Sequence, residues 1–110
     1  MTDDAPLGVF EEQVLIAVVR TGHEAYGMGV RREIERVTER DLAIGAVYAT
    51  LDRLEAKGLV VSRRTPGAGP SRRRFELSAE GARALAETRA MRERLWRGVD
   101  LGGLLARAGA

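Results

Sequence analysis

The chain has 110 residues, enough for one modest core, and sets 18 arginines and lysines against 16 acids for a formal charge of +2. It has no cysteine, which excludes disulfides and thiolate metal sites and makes a reducing cytoplasm the expected setting. No apolar run reaches membrane-spanning length, and the acidic start MTDDAPLG is unlike a signal peptide, so no membrane partner is expected.

The first predicted helix is FEEQVLIAVVRT, where Phe10, Val14, Leu15, Val18 and Val19 recur at helical spacing behind an acidic first turn. Thr21 and Gly22 end it, and His23 falls in the connector as a solvated residue. A second helix starts near Gly27 with Val30, Ile34 and Val37 at i, i+4 and i+7. Its other side carries Arg31, Arg32, Glu33, Glu35 and Arg36, a pattern that reads as a solvated face with weak ion pairs. The third helix, IGAVYATLDRLEAKG, is the most regular: Ile44, Val47, Leu51 and Leu54 form one stripe, and Gly58 is a good stop. Its start is weakly capped by Ala43, with Asp41 as the substitute.

After Gly58 the period changes to two. Leu59 and Val61 alternate with Val60 and Ser62, and Phe75 and Leu77 alternate with Arg74 and Glu76. The segment TPGAGPS joins these runs as a hairpin longer than a tight turn. Arg63, Arg64, Arg72, Arg73 and Arg74 gather near its end, with Glu76 the one acid close by in sequence. Ser78 is the predicted N-cap of a long helix running to about Val99, striped by Ala84, Thr88, Met91 and Leu95 and flanked by Leu85 and Trp96. The closing GGLLARAGA is expected to fray, with Leu101, Leu104 and Leu105 available to a partner.

Three helices, a two-stranded hairpin and a long helix predict a mainly α (α+β) fold: a winged helix-turn-helix with a two-stranded wing and a C-terminal dimerisation helix. The expected division is a DNA-binding domain over 1–77 and a dimerisation helix with its tail over 78–110. In this fold the helix after the turn enters the major groove while the hairpin lies along the backbone, so the wing arginines would meet the phosphates of double-stranded DNA. Lys57 is the sole lysine. Arginine suits phosphate, but a GC-rich genome yields the same bias, so position says more than total. An enzyme is disfavoured: one loop histidine, no Gly-rich phosphate loop, and acids interleaved with arginines leave no active site, and no cofactor is expected. The rival reading is a winged-helix interaction module whose basic wing binds an acidic protein. RNA is weaker still, because no stacking aromatics lie on an exposed sheet.

The segments LGVFEEQVLIAVVRTGHEAYGMGVRREIE, GAVYATLDRLEAKGLVVSRR and RRRFELSAEGARAL resemble the PadR family of bacterial transcriptional regulators over about residues 7 to 97. The most specific pieces are Tyr26-Gly27, the run Gly45-x-x-Tyr48-x-x-Leu51-x-Arg53-Leu54-Glu55-x-x-Gly58-Leu59, and Arg72 to Gly81. The resemblance implies a homodimeric DNA-binding repressor of the shorter branch, with one C-terminal helix for dimerisation. Ala43 and Ala46 replace polar residues often found around the glycine, and Ala49 replaces a common proline, which weakens any inference about base preference but not about the fold.

On this reading Gly45, Ala46 and Ala49 form a small-residue surface suited to thymine methyls and groove shape. Tyr48, at the border of the exposed face, would reach a phosphate as the resemblance favours, or be a core-edge tyrosine. Arg53 would reach a phosphate or pair locally with Asp52 or Glu55; Arg63, Arg64, Arg72, Arg73 and Arg74 are assigned to DNA. Leu85, Thr88, Met91, Leu95, Trp96 and Val99 are assigned to the dimer interface, since an exposed apolar stripe seeks a partner. A sharper alternative makes Trp96 one wall of a pocket for a small aromatic effector, against the plainer role of interface anchor. Dimer symmetry predicts a pseudo-palindromic operator.

Overall fold

The computed structural model describes residues 7–66 and 72–109; the expected Gly/Pro tip at 67–71 and the acidic start lie outside the described residues. Helix α1 (Val9–Thr21) begins where the Glu11 carboxylate turns back to accept the Gly8 N–H at 2.9 Å. A single 3-10 turn at Gly22–Glu24 leads into α2 (Gly27–Thr38), and a short loop into α3 (Ile44–Ala56). No side-chain cap holds the start of α3 at Ala43. Instead Glu35 of α2 accepts the Leu42 N–H at 2.8 Å, so the turn between the two helices is tied from the helix before it.

Strands β1 (Val60–Arg64) and β2 (Arg73–Leu77) pair antiparallel, with Val60 opposite Leu77, Ser62 opposite Phe75 and Arg64 opposite Arg73. The other edge of β2 is also partly used: Phe75 donates to the Ala25 carbonyl at 2.9 Å, and Tyr26 bridges to Arg74. The hairpin is thereby sewn to the segment before α2. Val14, Leu15 and Val18 of α1, Val30 and Ile34 of α2, Val47, Leu51 and Leu54 of α3, and Val60 and Phe75 of the hairpin close one core. This is the winged helix-turn-helix expected from the sequence.

Helix α4 (Ala79–Trp96) is capped as predicted, the Ser78 hydroxyl accepting the Gly81 N–H at 3.0 Å while donating to the Gly58 carbonyl at 2.7 Å. Gly81 lies against the Leu59 carbonyl so closely that a Cβ would collide with it. Farther along, Arg92 grips the Glu12 carboxylate of α1, with Nε at 2.9 Å.

Three expectations are corrected. Helix α4 stops at Trp96 rather than near Val99, and the tail, instead of fraying, forms α5 (Leu101–Ala108), so two helices follow the wing. Asp100 starts α5 by accepting the Gly103 N–H at 3.0 Å. Val19 and Val37, placed in core stripes, are exposed, each at the open rim of a surface groove rather than beneath a packed neighbour; Ala17 is buried instead. In the hairpin Val60 is the buried member and Val61 faces solvent.

Candidate nucleic-acid interface

Burying Val47, Leu51 and Leu54 turns the opposite side of α3 outward. Gly45, Ala46, Ala49, Asp52 and Arg53 are all exposed along it, and Tyr48 is half-buried at its border. The phenol end of Tyr48 lies against Gly27 at the start of α2, so closely that a Cβ there would collide with Cζ and the hydroxyl. The Tyr-Gly pair that opens α2 is therefore what lets α3 sit against it. Arg53 finds neither of its expected local partners: its Nε lies 3.5 Å from Glu11 of α1, and an NH2 donates to Thr50 at 3.3 Å. Lys57 shares Glu11 at 2.9 Å. Burial pushes the Glu11 carboxyl up, but the Gly8 N–H and Lys57 outweigh it, with Arg53 helping, and the group titrates below its ordinary range.

The wing arginines, assigned together from the sequence, go to different surroundings. Arg63 is exposed and reaches Glu76 across the ladder at 3.4 Å. Arg64 is exposed on the same strand. The Arg72 guanidinium lies 4.4 Å above the Tyr26 ring, whose hydroxyl is 3.3 Å from the Thr65 hydroxyl. Arg73 turns back to α3, where it meets Asp52 at 3.1 Å and Glu55 at 2.7 Å. Glu76 remains the one acid close by in sequence; both of these partners are brought in from α3 by the fold. Arg74 projects from the other face of β2, with NH1 3.4 Å from His23 Nδ1 and a buried Nε without a hydrogen-bond partner. Tyr26, Asp52, Glu55 and His23 are the neighbours that sequence reasoning missed. They lie at least 18 residues from the arginines they touch, and only the folded hairpin brings them in.

The predicted interface residues also divide. Thr88 is buried within the chain, which takes it out of the predicted set, and Leu85 is half-buried where it packs against the core. Leu95, Trp96 and Val99 are exposed, and so are Leu101, Leu104 and Leu105 of α5. Among the described residues no helix is long and apolar enough to cross a membrane, and no cluster of His, Asp or Glu is arranged to hold a metal ion.

A winged helix-turn-helix with an open third helix and a basic hairpin is an architecture many DNA-binding proteins share. The chain belongs to the PadR-like family of transcriptional regulators, whose family model matches residues 15–87. It is 39% identical over 87 residues to transcriptional regulator Rv3488 of Mycobacterium tuberculosis, an alignment that spans 79% of each chain. In fold it is similar to RosR of H. salinarum, with a TM-score of 0.67 and 23% identity over 97% of both chains. It is also similar to a PadR family transcriptional regulator from Eggerthella lenta, with a TM-score of 0.61 and 23% identity over 86% of this chain and 84% of that one. The family and the mycobacterial relative are named as regulators of transcription, and as a member of that family the chain is a transcriptional regulator and not an enzyme.

Proposed function

We propose that the protein is a homodimeric repressor that acts in the cytoplasm on a pseudo-palindromic duplex operator. The observation that carries this reading is the smooth exposed surface of Gly45, Ala46 and Ala49 on α3, flanked by Arg53 and by the wing arginines. Small side chains let the helix backbone come close to base edges and thymine methyls in the major groove. Arg63, Arg64 and Arg72 would then neutralise the flanking phosphates, with Tyr48 offering its hydroxyl to the backbone. Two copies joined through Leu95, Trp96, Val99 and α5 would present two such surfaces, matched to half-sites about 34 Å apart or a multiple of that.

The test is fluorescence anisotropy with a duplex from the protein's own upstream region and a scrambled duplex, each at two salt concentrations. The expected result is tight binding to the native duplex alone. Three phosphates neutralised per subunit give a log–log salt slope of roughly −5 for the dimer. Equal weak binding to both duplexes would reduce the surface to a generic basic patch, and no binding would favour an acidic protein partner. Repression itself is read from a reporter behind the bound sequence, whose output should rise when the protein is deleted.

A further inference from the structure

Glu55, in the last turn of α3, holds both strands of the wing. One carboxylate oxygen accepts the Ser62 hydroxyl of β1 at 2.8 Å, and the other accepts Arg73 NH2 of β2 at 2.7 Å. The register pairs Ser62 with Phe75, two residues from Arg73, so both donors lie on the face of the hairpin turned to α3. Arg73 is further confined by Asp52 at 3.1 Å and by the Phe75 ring 4.9 Å beneath its guanidinium. For Arg73 to reach a phosphate it would have to leave two carboxylates and expose both to the polyanion.

We infer that Arg73 is a positioning residue and not a phosphate contact: with Glu55 it fixes the angle between the wing and α3. That angle sets how far along the duplex the remaining wing arginines fall from the bases under Gly45 and Ala49. The inference rests on reading α3 and the wing as the DNA surface, and it has a component that can be measured without DNA.

The decisive variant is Glu55→Gln, because the two views predict opposite signs. Removing a negative charge beside DNA, and freeing Arg73, should tighten binding if electrostatics alone governs. If Glu55 and Arg73 set the wing angle, binding weakens by roughly threefold to tenfold at fixed salt, the net worth of one ordinary hydrogen bond. Arg73→Gln should weaken binding similarly while leaving the salt slope unchanged. Loss of a true phosphate contact would instead flatten the slope by about 0.9 per subunit. Tighter or unchanged binding by Glu55→Gln, or a flattened slope for Arg73→Gln, overturns the inference.

Amide hydrogen exchange on the free protein supplies the second arm. Glu55→Gln should speed exchange across β1 and β2 and leave the α1 and α2 core amides as they are; unchanged hairpin exchange also overturns the inference. If the wild type binds no duplex yet Glu55→Gln loosens the hairpin, the DNA reading falls and the wing–helix linkage stands.

Discussion

The head of the molecule, α1 to β2, and the arm beyond the middle of α4 are built from similar aliphatic side chains that end in opposite surroundings. Val14, Leu15, Val30, Val47, Leu51, Leu54, Val60 and Phe75 of the head are all 1% exposed or less. Leu95, Trp96, Val99, Leu101, Leu104 and Leu105 of the arm are all 45% exposed or more. The chain's radius of gyration is 16.6 Å, against about 13 Å for a compact domain of this length, and its longest dimension is 56 Å. An eight-residue helix such as α5 is too short to persist on helix propensity alone. The head thus closes its own core, whereas the arm leaves its apolar side chains uncovered, the surface on which the proposed dimer depends.

The contrast can be broken most forcefully in the head. Phe75→Ala removes the largest fully buried side chain and should cost about 3–5 kcal/mol in urea unfolding followed by circular dichroism. A loss below about 1 kcal/mol would mean the wing is not part of the core. In the arm, Leu95→Asp combined with Trp96→Ala should halve the mass seen by sedimentation and lower operator affinity roughly a hundredfold, while the helical signal of the head survives. An unchanged mass would place the interface elsewhere. Gly27→Ala tests the contact between α2 and α3: overpacking against Tyr48 should cost about 1–3 kcal/mol, and much less in a Tyr48→Ala background.

The smallest effect is electrostatic and belongs to the head's surface. Glu33 is held down to about 2 by Arg36 and then by Arg20, which links α2 to α1. A carboxyl depressed in the fold contributes stability above its unfolded value of 4.5, and loses it as pH falls from there through about 2. Glu33→Gln should flatten the pH dependence of Tm in that window, and added salt should shrink the difference, because the arginines are exposed. A profile parallel to the wild type would show the pair to be without effect.

Local pattern carried much of this architecture. The α3 stripe, the Gly58 stop, the Ser78 cap and the switch to period two before the wing are short-range signals, and each appears in the fold. The signals for helix α5 are present too, since Asp100 is a good cap and Leu101, Leu104 and Leu105 keep helical spacing, but Gly102 and Gly103 point the other way, toward fraying. The exposure of Val19 and Val37 was not legible, because a periodic pattern shows that a stripe exists but not how wide a neighbour covers it. The site divided in the same way. The outward set Gly45, Ala46 and Ala49 followed from the inward stripe, whereas the fate of each wing arginine depended on which acid or ring the folded hairpin brought within reach.

The joint at the base of α4 has a mechanical consequence. Ser78 is bonded to Gly58 and Leu59 just past the end of α3, and Gly81 rests on the Leu59 carbonyl without room for a methyl group. Helix α4 therefore leaves the head as a lever with no play at its pivot, braced farther out by Arg92 on Glu12. A tilt of the lever is transmitted to the end of the third helix rather than absorbed in a linker. Two heads carried on such levers would behave as callipers, their span set by how the levers cross.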